Sequence, residues 1–314
     1  MIEKENSKRK SSNPDHRRFR CALDGLKIVD KAFKPEYLLR SCPNLRRLYI
    51  DWQEEFSLPP FRAFHSQWFF DLLSKPKFSL LCSQLQDLEI VFPSAHSPNN
   101  YSLPMSDSSK LFQHLFGLKR LCLEGAGKQN PVCLHEILKS CPALEILVLK
   151  RTSVHVQRSF EVTDLSRCIH TGIRTFRLLG DMSSLVVNEF MIQCLVESMP
   201  GLRELEIQPE TILGYSGLTP TELGEFSALE SLERLSIPLS MKEYSSNMPD
   251  LIYRLKSFKS LKNLVLSWGR WSDSYDTPIK RVRLFMTWLK DILAGENVSI
   301  RVELCYRMHP ELFA

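Results

Sequence analysis

The chain lacks any run approaching the roughly 20 consecutive apolar residues that a membrane-spanning helix needs, so no membrane span is expected. It has no Cys-x-x-Cys pair, and its nine cysteines are odd in number and scattered. Neither a disulfide framework nor a paired-cysteine zinc module is therefore expected. No apolar run follows the charged N-terminus. That reads as the absence of a secretory leader, and a reduced cytoplasmic or nuclear setting is the expectation. In such a compartment the sequons Asn100-Tyr101-Ser102 and Asn297-Val298-Ser299 are chance matches.

Catalytic signatures are missing as well. Gly125-Ala126-Gly127-Lys128 suggests a phosphate loop. That motif needs a glycine five residues before Gly127 and a hydroxyl residue after the lysine. Cys122 and Gln129 stand there, so the segment reads as a turn after a strand ending at Leu123. Gly214-Tyr215-Ser216-Gly217 has the wrong spacing for a nucleophile elbow. Cys133, His135 and Cys141 lie close in sequence, but one helix does not gather them tetrahedrally. Cys42 and Cys141 share one repeat position, which implies packing as small hydrophobes. No cofactor, metal or catalytic residue is expected, and the chain reads as a non-enzyme.

Charge of one sign is scarce outside the N-terminus. The net charge is +5. Residues 1–20 hold seven cations (Lys4, Lys8, Arg9, Lys10, Arg17, Arg18 and Arg20) against Glu3, Glu5 and Asp15. Their excess of four leaves one for all other residues. A nucleic-acid-binding body carries a basic stripe, so a nucleic-acid partner is not expected. Lys8-Arg9-Lys10 with Arg17-Arg18 reads as a solvated basic tail, with a bipartite import signal as the alternative.

What the chain has in abundance is repetition. An apolar residue, two variable residues, an apolar residue, one variable residue and an apolar residue recur at Leu23-Leu26-Ile28, Leu45-Leu48-Ile50, Leu85-Leu88-Ile90, Leu118-Leu121-Leu123, Leu144-Leu147-Leu149, Ile173-Phe176-Leu178, Leu202-Leu205-Ile207, Leu232-Leu235-Ile237 and Leu261-Leu264-Leu266. The first anchors fall 22, 40, 33, 26, 29, 29, 30 and 29 residues apart. A period of this size means a solenoid, in which each repeat packs only on its neighbours.

Helices are predicted between the strands. Pro131 to Ser140 and Asn188 to Ser198 are two. A third, capped by Thr277-Pro278, runs through Val282, Phe285, Met286, Leu289, Ile292 and Leu293 to Gly295. Ser41-Cys42-Pro43, Ser140-Cys141-Pro142 and Ser198-Met199-Pro200 mark switches from helix to strand, because proline cannot continue a helix. The two long intervals read as insertions. One carries Trp68, Phe69 and Phe70 on a helix, and the other is a Ser/Pro/Asn-rich loop from Pro93 to Ser109. Val298, Ile300, Val302 and Leu304 alternate as a final strand, read as part of a terminal cap.

These nine matched strands resemble the leucine-rich-repeat superfamily over residues 23–266. The phrases LLRSCPNLRRLYI (Leu38 to Ile50) and ILKSCPALEILVL (Ile137 to Leu149) resemble repeats of F-box/leucine-rich-repeat proteins. The resemblance implies an α/β horseshoe, with a parallel sheet on the concave face and helices on the convex face. It also implies the substrate receptor of a cullin-type ubiquitin ligase, in which an F-box binds the adaptor and the repeats hold the substrate. Only about twenty polar residues precede the first strand here, and no F-box segment is visible. Adaptor binding is therefore carried onto no residue. An open solenoid end needs a cover, so either a partner covers it or the chain is an incomplete version of a longer protein, and the second is the expectation. The expected organisation is a disordered basic tail over 1–18, a solenoid of about nine repeats with a C-terminal cap over 19–305, and a tail over 306–314.

Alternation along each strand turns the anchors inward and their neighbours to the opposite, concave side. The expected protein-binding residues are Arg47, Tyr49, Asp87, Glu89, Arg120, Ile146, Val148, Lys150, Arg177, Glu204, Glu206 and Arg234. Acidic residues gather at Asp87 with Glu89 and at Glu204 with Glu206. Between them lies an apolar stretch of Ile146, Val148 and Leu179, flanked by Arg120, Lys150 and Arg177. An apolar centre with a charged surround suits a protein partner. Trp268, Trp271 and Tyr275 form a second candidate, since Trp and Tyr are favoured at binding hot spots. The functional expectation is a protein-binding scaffold of the ligase-receptor kind. The alternative is a stand-alone inhibitor or regulator of a protein partner.

Overall fold

The computed structural model describes residues 25–28, 42, 44–51, 79–92, 112, 114–125, 132–152, 154–155, 169–180, 189–209, 218–239, 253–268, 287, 289 and 299–304. The tail 1–18, the Trp68–Phe70 segment, the Pro93–Ser109 loop, Trp271 and Tyr275 lie outside those residues. So does most of the helix expected over Val282–Leu293.

Each described anchor triplet lies in or leads into a strand, and the strands join one parallel sheet in chain order. They are β1 (Gly25–Ile28), β2 (Arg47–Asp51), β3 (Asp87–Val91), β4 (Arg120–Glu124), β6 (Ile146–Lys150), β8 (Thr175–Gly180), β9 (Glu204–Pro209), β10 (Arg234–Leu239), β11 (Asn263–Trp268) and β12 (Ser299–Leu304). A separate two-stranded sheet pairs β5 (Val132–Cys133) with β7 (Val154–His155). Among the described residues the main sheet has ten strands, nine from the repeats and one beyond them. The expected cap strand is its tenth member, with Ile300 opposite Leu264 and Val302 opposite Leu266. The result is an α/β, solenoid-like arrangement, one strand per repeat.

Register explains the repeat. Leu48, Leu88, Leu121, Leu147, Phe176, Leu205, Leu235 and Leu264 fall in one row across the sheet. Ile50, Ile90, Leu123, Leu149, Leu178, Ile207, Ile237 and Leu266 belong to the same side of their strands, and all sixteen are buried. Removing a leucine side chain from water is worth about 1.5–3 kcal/mol, so a one-residue slip would expose a whole row.

The helices cover that side. They are α1 (Ser79–Gln84), α2 (Leu134–Ser140), α3 (Glu189–Ser198) and α4 (Pro220–Glu225), the last continuing as a 3-10 turn over Phe226–Ala228. Their apolar residues, among them Leu81, Ile137, Ile192, Leu195 and Leu223, join the strand anchors in one core. Parallel neighbours need crossovers of this kind.

Helix and strand are linked by one recurring turn. The first anchor's N–H donates to the carbonyl three residues earlier, as in Leu45 to Cys42, Leu85 to Cys82, Leu118 to Leu115, Leu144 to Cys141, Leu202 to Met199 and Leu232 to Leu229. The accepting residues are all buried, as expected for Cys42 and Cys141. His170 stands at the same position before Ile173 and is buried too. Its Nε2 lies 2.8 Å from the Cys141 carbonyl oxygen of the preceding repeat. Its backbone N–H donates to the Ser198 carbonyl of the following one.

Candidate recognition surface

The residues between the anchors make the opposite face of the sheet. Its middle row runs Tyr49, Glu89, Cys122, Val148, Arg177, Glu206, Ser236 and Val265. The row on the N-terminal side runs Arg47, Asp87, Arg120, Ile146, Thr175, Glu204, Arg234 and Asn263. Asp51, Val91, Glu124, Lys150, Leu179 and Gln208 begin the third row. Strand pairing thus brings all twelve sequence-derived candidates onto one face. Trp268 closes β11 opposite Leu239 and Leu304.

Several charges on this face are paired with neighbours. Arg120 Nη1 lies 2.7 Å from Asp87 Oδ1, and its Nη2 lies 3.0 Å from Glu89 Oε2. Arg177 reaches Glu204 at 3.4 Å and Glu206 at 3.3 Å. Lys150 lies 3.6 Å from Glu124 and 3.9 Å from Glu89, and Arg151 also pairs with Glu124. The two acidic groups are therefore not open patches, because a cation from an adjacent strand fills each. Along the sequence these acids stand apart from the basic flank of the apolar stretch. Register merges them, since adjacent strands sit about 4.8 Å apart.

Packing sets the proton affinities. Partial burial pulls Arg120 downward, but the hydrogen bonds and charges of Asp87 and Glu89 outweigh it and leave its pKa above the ordinary value. Burial, followed by the charge and hydrogen bond of Asp51, pushes the Tyr49 phenol up to about 12. The Tyr49 hydroxyl donates to Asp51 Oδ2 at 3.3 Å. Burial and then the Glu89 charge push the Cys122 thiol up to about 11.

Between the ion pairs the face is apolar. Cys122 is fully buried and Val148 is 7% exposed, while Ile146 and Leu179 are half-buried beside them. Small residues of the middle row lie low among taller charged neighbours. The same holds towards β11, where Ser236 and Val265 are buried and Gln208 donates to Ser236 Oγ at 3.3 Å.

The cysteine and histidine cluster weighed in the sequence resolves into separate places. Cys133 precedes α2, His135 lies on it and Cys141 caps its C-terminus, all buried. His135 Nε2 lies 3.7 Å from Cys194 Sγ on α3, 59 residues away, so the imidazole meets a thiol two repeats further along. Among the described residues, no three His, Cys, Asp or Glu side chains group as metal ligands, and no helix is long and apolar enough to cross a membrane.

No protein-family model and no curated protein matches the chain. Among solved structures, the chain is similar to one in the crystal structure of the Rad7 and Elc1 complex of yeast. That match has 16% identity and a TM-score of 0.32, and it covers 77% of this chain and 68% of that one.

Proposed function

We propose that this chain is a non-catalytic protein-binding scaffold, and that it holds its partner on the sheet face opposite the helices. The carrying observation is the make-up of that face: Ile146, Val148 and Leu179 at the centre, enclosed by the Arg120, Lys150 and Arg177 ion pairs. Paired charges present little net field, so the apolar centre supplies affinity and the fixed charges supply orientation. The finer reading is a horseshoe with this face concave, serving as the substrate-recognition region of an F-box-type ubiquitin ligase receptor. Its support is the resemblance of the Ser-Cys-Pro repeats around Cys42 and Cys141. Those cysteines are buried at turns, so the resemblance concerns the scaffold and leaves the substrate open.

The test is quantitative affinity purification of the full chain beside an Ile146→Glu/Leu179→Glu variant of matched expression and fold. The reading expects a defined set of proteins with the wild type and at least tenfold depletion of them with the variant. Identical protein sets at equal levels would overturn the face as the docking surface. Ligase adaptor and cullin subunits among the captured proteins support the receptor reading. Their absence beside one depleted partner makes the chain a stand-alone regulator.

A further inference from the structure

A second surface runs along the N-terminal edge of the sheet, where each repeat has one residue just before its strand. These residues are Arg46, Gln86, Lys119, Glu145, Arg174, Arg203, Glu233 and Lys262. One continuous backbone ladder joins them. Each N–H, from Gln86 to Lys262, donates to the carbonyl of its counterpart in the preceding repeat, at 2.8 Å in all seven steps. The ladder holds eight side chains in file at the strand spacing of about 4.8 Å, a row roughly 34 Å long. Seven of the eight are exposed and Glu233 is half-exposed.

The row carries five cations and two carboxylates. Both carboxylates are answered within it. Glu145 lies 3.4 Å from Lys119, and Glu233 lies 2.7 Å from Lys262 and 3.9 Å from Arg203. An excess of three positive charges remains, while all residues beyond position 20 together carry only one. Basic charge is thus concentrated at this edge and offset elsewhere. The adjoining strand row adds exposed Arg234, and its own acids, Asp87 and Glu204, are turned into pairs with Arg120 and Arg177. In the turns beside the edge, Glu230 is paired with Lys259.

We infer that this edge docks an acidic, extended polypeptide segment, on a surface distinct from the sheet face. A row of about 34 Å matches roughly ten residues of extended chain at about 3.3 Å per residue. A polypeptide can place carboxylates beside Arg46, Arg174 and Arg203 and neutral residues beside Glu145 and Glu233. A nucleic-acid backbone cannot: its charges are dense and regular, so phosphates would meet the two carboxylates. Attraction of this kind is screened over about 10 Å at 0.1 M salt, so binding weakens as salt rises.

The experiment measures fluorescence anisotropy of a labelled ten-residue peptide of alternating Glu and Ser, titrated with the full chain at low salt. Its Gln-for-Glu counterpart and a ten-nucleotide oligothymidylate serve as comparison probes. The Glu peptide is expected to bind and the Gln peptide not. Arg46→Glu/Arg174→Glu/Arg203→Glu should weaken the Glu peptide at least tenfold, while lysine at the same three positions keeps affinity within about twofold. Lys8→Ala/Arg9→Ala/Lys10→Ala, which removes tail charge, and Ile146→Glu, which alters the sheet face, should leave the tenfold difference in place. The inference is overturned by no binding, by equal binding of Glu and Gln peptides, or by indifference to the triple reversal. Tighter oligonucleotide binding that the reversal abolishes would assign the edge to nucleic acid instead.

Discussion

Cysteine at the turn before three of the strands shows how one residue serves the repeat. Cys42, Cys82 and Cys141 all stand three places before a first anchor, and all are fully buried. Burial pushes the thiols of Cys82 and Cys141 up to about 12. The folded chain therefore holds these protons more tightly than the unfolded chain, whose thiols ionise near 9. Stability from this source is complete below about pH 9 and falls as pH rises towards 12. The urea midpoint should be lower at pH 10.5 than at pH 8, and Cys141→Ala should lessen that drop. At neutral pH, Cys141→Ser places a hydroxyl where the protein offers an apolar site. It should cost about 1–3 kcal/mol in urea unfolding. A midpoint equal to that of the parent would mean the site is wetter than its burial indicates.

At the scale of elements, the strands were legible and several connections were not. The anchor triplets show the strands because inward positions have period two, and burial leaves them no polar option. Helix α4 is too short to show a helical period, although its start signal is written in Thr219-Pro220-Thr221-Glu222. Thr219 Oγ1 accepts from the Glu222 N–H, and Glu222 accepts from the Thr219 N–H, with proline in the first turn. Thr219→Ala should cost about 1 kcal/mol by urea unfolding. The positive φ that ends β8 has no sequence signal beyond a glycine. Gly180 has φ +119°, and a Cβ there would lie 2.5 Å from the Arg151 backbone nitrogen. Gly180→Ala is expected to cost at least 1 kcal/mol; a melting temperature unchanged from wild type would contradict that geometry. The β5–β7 pair was invisible because two-residue strands leave no periodicity.

For the whole molecule, nearest-neighbour packing implies graded stability. Among the described strands, β1 and β12 each have one partner in the sheet, and every other member has two. Solenoids fray from their ends. Hydrogen exchange should therefore be slowest over β6, β8 and β9 and fastest over β1 and β12. Leu147→Ala, in a fully buried central anchor, should cost about 2–5 kcal/mol and speed exchange in both neighbouring repeats. Uniform protection from end to end would mean a single cooperative unit instead.

The sequence by itself determined that strands recur, which residues anchor them and which side chains share the outer face, because two-residue alternation follows from backbone geometry alone. Tertiary structure decided how those side chains meet. Asp87 and Arg120 are 33 residues apart in the chain and 2.7 Å apart in space. That contact turns an apparent acidic patch into an ion pair. Placing Val298–Leu304 in the same sheet likewise depended on a partner strand, since alternation marks a strand without saying what it pairs with. The basic edge was the least visible of all. Its eight residues fall at intervals of 26 to 40, and only the parallel register brings them into one file.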